Sequence, residues 1–282
     1  MATFEFLQLS LSVPTIGNLA QDHTRSEPKE SRTEFLVEVF SKRRDFFYSG
    51  RQYTFVPSPK EVIGPELYSG YIGKPVEEFV NAGPDQLFAL TKSKHYKAAF
   101  VAIDVSPDVQ AVAFEKRQDV GAAQRILQAL FEAVVRERRS ISWHTDIEYK
   151  SSESDFWVAA KRFKGQITEL KFEFFPPNGL KGFDKFKEFD RLAKQQANGQ
   201  SSEYSIKNPD GAVLPEGEFV ESAVEYASEG PGRILLKQGR RTLFNSSQAK
   251  RTTDVPEPLM PRQGEGAKIL GIVSFLFGRG RQ

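Results

Sequence analysis

The residues best spaced for chemistry are His144, Asp146 and Glu148, in the run His144-Thr-Asp146-Ile-Glu148. Alternate residues of an extended strand share a face, so one imidazole and two carboxylates would project together within reach of one divalent cation. A cation held there could activate water for phosphodiester cleavage, which makes a metal-dependent nuclease or toxin one reading of the chain. The competing reading is a solvated strand. Ser142, His144, Asp146, Glu148 and Lys150 form its polar side, and Ile141, Trp143, Ile147 and Tyr149 its inner side, with Thr145 interrupting. Glu169, Lys171 and Glu173 also share one strand face, but Leu170, Phe172 and Phe174 on the other make simple half-buried alternation the sufficient explanation. Pro107-Asp108 followed by Glu115-Lys116 has the outline of a nuclease's acid and acid-any-Lys pair, yet Phe114 stands where the second acid belongs.

Other catalytic equipment is sparse. With no cysteine, thiol nucleophiles, cysteine-ligated zinc and disulfides are excluded, and the three histidines, His23, His95 and His144, leave little for a histidine-rich metal site. No Gly-rich phosphate loop precedes a helix, and no Gly-any-Ser-any-Gly elbow occurs. The residues therefore favour binding over catalysis, with no cofactor expected beyond the divalent metal of the nuclease alternative.

Charge supplies the partner signal. The first 150 residues are nearly balanced, whereas from residue 231 onward ten Lys and Arg stand against three acids. Basic residues neutralise phosphates and exposed aromatics stack on bases, so clusters mixing the two are candidate contacts with DNA or RNA. Three such clusters occur. Arg43, Arg44 and Arg51 bracket Phe46, Phe47, Tyr48 and Tyr53, although alternating aromatics of this kind usually face a core. Lys237, Arg240 and Arg241 surround a hairpin tip. Lys250, Arg251, Arg279 and Arg281 lie along the C-terminal segment. The run Lys181, Lys185, Lys187, Arg191 and Lys194 alternates with Asp184, Glu188 and Asp190 and reads as a solvated, ion-paired helix face.

These groups need elements to position them. Alternating Phe4, Phe6, Leu7, Leu9 and Leu11, without early Lys or Arg, reads as a first strand rather than a signal peptide, consistent with a cytoplasmic protein. A helix from Ser31 is expected to end near Arg44, followed by a hairpin around Ser49-Gly50 and a short strand over Leu67 to Ile72. Ala98 to Val105 and Val109 to Glu115 form another hairpin, and Asp119 is placed to cap a helix from Val120 to Arg139. Further helices are expected near Asp155, over Phe183 to Ala193, and over Glu216 to Ser228. Strands are expected over Ser140 to Lys150, Ile167 to Phe175, around Tyr204, and over Arg233 to Lys237 with Arg241 to Phe244. The succession implies an α+β fold with helices on mostly antiparallel or mixed sheets. Residues 1–150 and 151–246 read as two α+β halves, and 247–282 as a flexible linker with an apolar-basic tail. The tail, 268–281, is too short to span a bilayer as a helix, which leaves three uses: an edge strand on its own sheet, a homodimer or protein contact, or a membrane-surface anchor.

The wording of residues 150 to 250 carries a resemblance. The run Ile167-Thr-Glu-Leu-Lys-Phe-Glu-Phe-Phe-Pro-Pro-Asn, the Asp210-Gly211 turn, and Arg233-Ile-Leu-Leu-Lys-Gln-Gly-Arg-Arg-Thr-Leu-Phe-Asn-Ser-Ser resemble the uncharacterised prokaryotic family called domain of unknown function 4747. More distantly they are similar to the phage-exclusion protein RexA. The stretches Arg44 to Val56 and Ala98 to Glu115 fit the same layout. The resemblance implies antiphage defence and nucleic-acid binding, and it brings no catalytic residues.

Overall fold

The computed structural model describes residues 1–12, 28–59, 65–107, 109–138, 143–174, 201–211, 213–229, 232–261 and 266–278. Their centre is β1 (Ala2–Ser12), whose alternation sends Leu7, Leu9 and Leu11 to one face and Phe4 and Phe6 to the other. Both sets are buried because each face of this sheet has its own cover. Helices α1 (Arg32–Phe40) and α2 (Ala123–Glu137) lie over the leucine face, and α5 (Gly266–Phe277) lies over the phenylalanine face.

The first sheet is antiparallel, with eight strands. Outward from β1 on one side run β6 (Ala111–Glu115), β5 (Leu90–Asp104), β4 (Leu67–Asn81), β3 (Arg51–Pro57) and β2 (Arg44–Tyr48). On the other side β1 pairs with two strands in tandem, β12 (Thr252–Val255) along its first half and β7 (His144–Tyr149) along its second. The second sheet has the order β11-β10-β8-β9, with β8 (Glu169–Phe174), β9 (Ser202–Lys207), β10 (Gly232–Gln238) and β11 (Arg241–Asn245). Its Leu170, Phe172, Phe174, Ile234 and Leu236 pack beneath α3 (Glu153–Arg162) and α4 (Glu218–Glu229). Two antiparallel sheets with five helices among the described residues make the fold α+β, as the element order implies.

The hairpin between β2 and β3 turns on Ser49 and Gly50, both at positive φ, the two-residue geometry that matches strand twist. The capping box of α1 is complete: Ser31 Oγ accepts from the Glu34 amide while the Glu34 carboxylate accepts from the Ser31 amide.

Several expectations are corrected. The first helix stops at Phe40, and Arg44 begins β2 instead, because Phe46, Tyr53 and Phe55 need an extended chain to reach the core. Asp119 does not cap α2; its carboxylate is held by the Arg117 guanidinium, and the N-cap is Ala122, which offers no side-chain bond. The linker contains β12, and the apolar tail is a helix rather than an edge strand. Ile269, Ile272, Val273 and Leu276 recur at helical spacing and dock on Phe4, Phe6 and Phe100. The expected helix over Phe183 to Ala193, with its ion-paired face, lies outside the described residues.

The largest departure is the length of β4 and β5. Their ladder runs from Leu67 opposite Asp104 to Asn81 opposite Leu90, but β3 follows β4 only over Gly70 to Gly73, and β6 follows β5 only over Val101 to Asp104. Beyond Lys74 and Lys97 the two strands continue alone as an arm. Pro75, lacking an N–H, cannot extend pairing on its outer side, and at the end of β6 the Glu115 carboxylate accepts from the Phe100 amide at 2.8 Å.

Candidate nucleic-acid interface

Where the arm leaves the sheet, basic side chains from three strands and the β6–α2 connection converge. Lys74 and Lys97 face each other directly across β4 and β5, an arrangement of like charges that weakens a ladder. Lys74 is only 8 % exposed, and its Nζ donates to the Val120 carbonyl at 3.1 Å, which also accepts from the Tyr53 hydroxyl at 2.8 Å. A carbonyl dipole is a poor substitute for a counter-charge. Burial, followed by the nearby Arg51 guanidinium, holds the Lys74 ammonium below the ordinary lysine range. Asp119 acts on it in the opposite sense, and Lys97 in the same sense as Arg51, so the four groups share one electrostatic neighbourhood.

Two carboxylates thread this cluster. Glu78 takes Lys97 Nζ as its closest partner and has His95 Nε2 at 3.5 Å, and Lys97 holds its carboxyl below the usual range. Asp119 accepts two bonds from Arg117, at 3.2 and 3.0 Å, and is lowered by them. Arg51, Lys74, Lys97 and Arg117 thus stand against Glu78 and Asp119, with the Glu115 carboxylate also within the electrostatic reach of Arg117 and Asp119. Beside them begins α2, whose N-cap Ala122 makes no side-chain bond, although the Gln124 backbone amide donates to the Tyr149 hydroxyl at 3.5 Å, and whose first turn adds partial positive charge from backbone N–H groups. The assembled surface is suited to a phosphate oxyanion, which could take bonds from several of these donors at once.

The basic residues singled out in the sequence distribute unevenly. Arg51 belongs to the cluster. Arg43 is exposed and lies 3.7 Å from Asp45. Arg44 is turned inward, bonded to Glu38 and Glu137, and so braces α1 and α2 against β2. Lys237 pairs with Glu169 at 3.4 Å within an ion-pair ladder on the open face of the second sheet, where Lys171 meets Glu203 and Arg233 meets Glu173. Arg240 and Arg241 are exposed at the β10–β11 turn. Lys250 lies 3.5 Å above the Tyr149 ring and 3.4 Å from Glu5, and Arg251 covers the Phe6 ring. Arg279, Arg281 and His23 lie outside the described residues. Of the hairpin aromatics, Phe46 and Tyr53 are core and Tyr48 packs against it, whereas Phe47 is 72 % exposed on the opposite face.

His144, Asp146 and Glu148 do share a face of β7. His144 Nε2 is 3.3 Å from Asp146 Oδ1, and that bond raises the imidazole above its ordinary value. Glu148 is engaged elsewhere, with the Gln124 amide at 3.4 Å; burial pushes its carboxyl up, opposed by Arg233 and reinforced by Asp146 and Glu173. Among the described residues no three His, Cys, Asp or Glu side chains are grouped so as to hold a metal ion. No helix among them is long and apolar enough to cross a membrane.

The sequence matches no family model and no curated protein. The arm-root residues Lys74, Lys97 and Arg117 carry no local signal that joins them, because they are 20 or more positions apart in the chain. One signal could have found two of them. Gly73-Lys74-Pro75 and Lys97-Ala98 sit at matching ends of two β-rich stretches, and antiparallel pairing of those stretches puts the lysines opposite each other.

Proposed function

We propose that this chain binds nucleic acid by its phosphates, with Arg51, Lys74, Lys97 and Arg117 at the root of the β4–β5 arm as the contact surface. The supporting observation is the direct cross-strand opposition of Lys74 and Lys97, with Lys74 buried, its hydrogen bond made to a carbonyl, the Tyr53 ring beneath it and no carboxylate in direct contact. A like-charge pair beside a helix start costs stability when empty and gains it when a polyanion arrives. Exposed Arg240 and Arg241 serve as an outlying contact in this reading, and Lys237 and Lys250 as structural cations. The resemblance to domain of unknown function 4747 and to RexA agrees with such binding, and suggests a cytoplasmic role in antiphage defence or phage exclusion.

Fluorescence anisotropy with short single- and double-stranded DNA and RNA tests the proposal. The full-length chain is expected to bind at least one probe. The combined Arg51→Ala, Lys97→Ala and Arg117→Ala variant is expected to bind it at least ~10-fold more weakly, in line with lost phosphate contacts. Unchanged affinity in a variant with a native circular dichroism spectrum, or the absence of binding to every probe, would overturn it.

A further inference from the structure

The arm itself carries a second surface, of different chemistry. Strand alternation places Phe79, Leu90 and Tyr96 on the side of the first sheet covered by α5, opposite to Lys74 and Lys97. Phe79, Leu90 and Tyr96 are about 70 % exposed, and Leu87 at the tip is 90 % exposed. Leu87 and Phe88 both have positive φ, at 50° and 56°, a region bulky residues enter only at a cost, and the result is to hold both side chains outward. An isolated two-stranded ribbon is marginal in water, so this one gains from being covered.

Charge argues against a polyanion as the cover. On this side of the arm Lys92 and Lys94 stand against Glu77, which already takes both as partners, and Asp85 lies at the tip, so no net positive charge is left. An anionic membrane surface is disfavoured for the same reason, with Asp85 beside the tip. A complementary apolar surface exists on the chain's own body. Phe47 and Val56 lie on that same side of the sheet, and Leu270 and Phe275 are exposed on α5, which covers it.

We infer that a second copy of this chain is the occupant, with the arm of each protomer laid across the α5 side of the other. Because arm and receiving surface lie on one side of one sheet, a single face-to-face twofold satisfies both, which is the isologous arrangement of most dimers. Three aromatics and two leucines, each largely exposed, remove on the order of 600 Å² per arm when covered. Both arms and both receiving surfaces together reach roughly 2,000 Å², the range of stable dimers. The arrangement leaves Lys74 and Lys97 on the outer side, so it stands independently of nucleic-acid binding.

Analytical ultracentrifugation of the full-length chain, without nucleic acid, is expected to show twice the chain mass at micromolar concentration. The variant Phe79→Ser, Leu90→Ser, Tyr96→Ser is expected to sediment as a monomer with an unchanged circular dichroism spectrum. Since the chain has no cysteine, chains carrying only Leu87→Cys mixed with chains carrying only Leu270→Cys give a second readout. A bifunctional thiol reagent should join the two kinds in preference to like pairs. A monomeric wild-type chain, a variant that stays dimeric, or a mixture that cross-links without that preference would overturn the inference.

Discussion

Lys74 illustrates how a single residue can sit at odds with stability and still make sense. Its ammonium is buried, opposed by Lys97 and close to Arg51, with one carbonyl bond, the Tyr53 ring and the more distant Asp119 as partial compensation. Lys74→Met keeps the stem and removes the charge, and Tyr53 still satisfies the Val120 carbonyl. The variant is expected to melt a few degrees higher than wild type, the scale of about 1 kcal/mol in a domain of this size, while binding nucleic acid more weakly. Calorimetry and anisotropy on the same preparation check the pair of effects, and a variant that loses stability would remove the charge-conflict explanation. Titration gives a second residue-level expectation. His144 is raised by Asp146, and Glu148 is raised chiefly by burial, so at these two sites the folded chain binds more protons than the unfolded one. Each contribution is fully present below the group's unfolded pKa, near 4.5 for Glu148 and 6.5 for His144, and is lost as pH rises through the folded value. Melting temperature should therefore fall between pH 5 and 7.5 on account of these groups, and Glu148→Gln should flatten the fall; an unaltered slope would count against a buried, raised Glu148.

At the level of elements, local sequence decided most of what can be seen. Ser31 and Glu34 announce α1, and Ser31→Ala is expected to cost about 1 kcal/mol in denaturant unfolding. Gly70 is fixed by packing instead: a Cβ there would meet the Val56 carbonyl at 2.5 Å and the Phe55 ring at 2.6 Å. Gly70→Ala should open the β3–β4 pairing, visible as faster amide exchange over Thr54 to Val56, and unchanged protection would contradict that contact. Alternation in β1, β8 and β10 and helical spacing in α2 and α4 were legible from the chain alone, since each buries one periodic set of residues. The arm was not. Val76 to Asn81 and Leu90 to Lys97 mix charged and apolar residues without burying either, so nothing in their pattern marks them as paired strands. The apolar tail was ambiguous for the opposite reason: Ile269 to Phe277 is apolar at nearly every position, and such a run suits a strand or a helix until its docking face is seen.

For the molecule as a whole, the C-terminus is structural. β12 completes the edge of β1, and α5 covers Phe4, Phe6 and Phe100. A chain ending at residue 246 is expected to lose cooperative unfolding of the first sheet and to aggregate; a soluble truncation with a sharp melt would show that α5 is dispensable. Among the described residues the C-terminal charge excess is partly neutralised, since Lys237 and Lys250 are paired and Arg251 lies over Phe6 while Arg240 and Arg241 stay exposed, and a second group of cations lies where β3, β4, β5 and the β6–α2 connection meet. That meeting point is a product of long-range pairing, which no local pattern encodes. The most direct test of it is the salt dependence of nucleic-acid affinity for wild type and for the Arg51→Ala, Lys97→Ala, Arg117→Ala variant. Each lost phosphate contact should lower the slope of log K against log salt by about 1, so the variant's slope is expected to be shallower by about 3. Parallel slopes would show that the arm root does not touch phosphate.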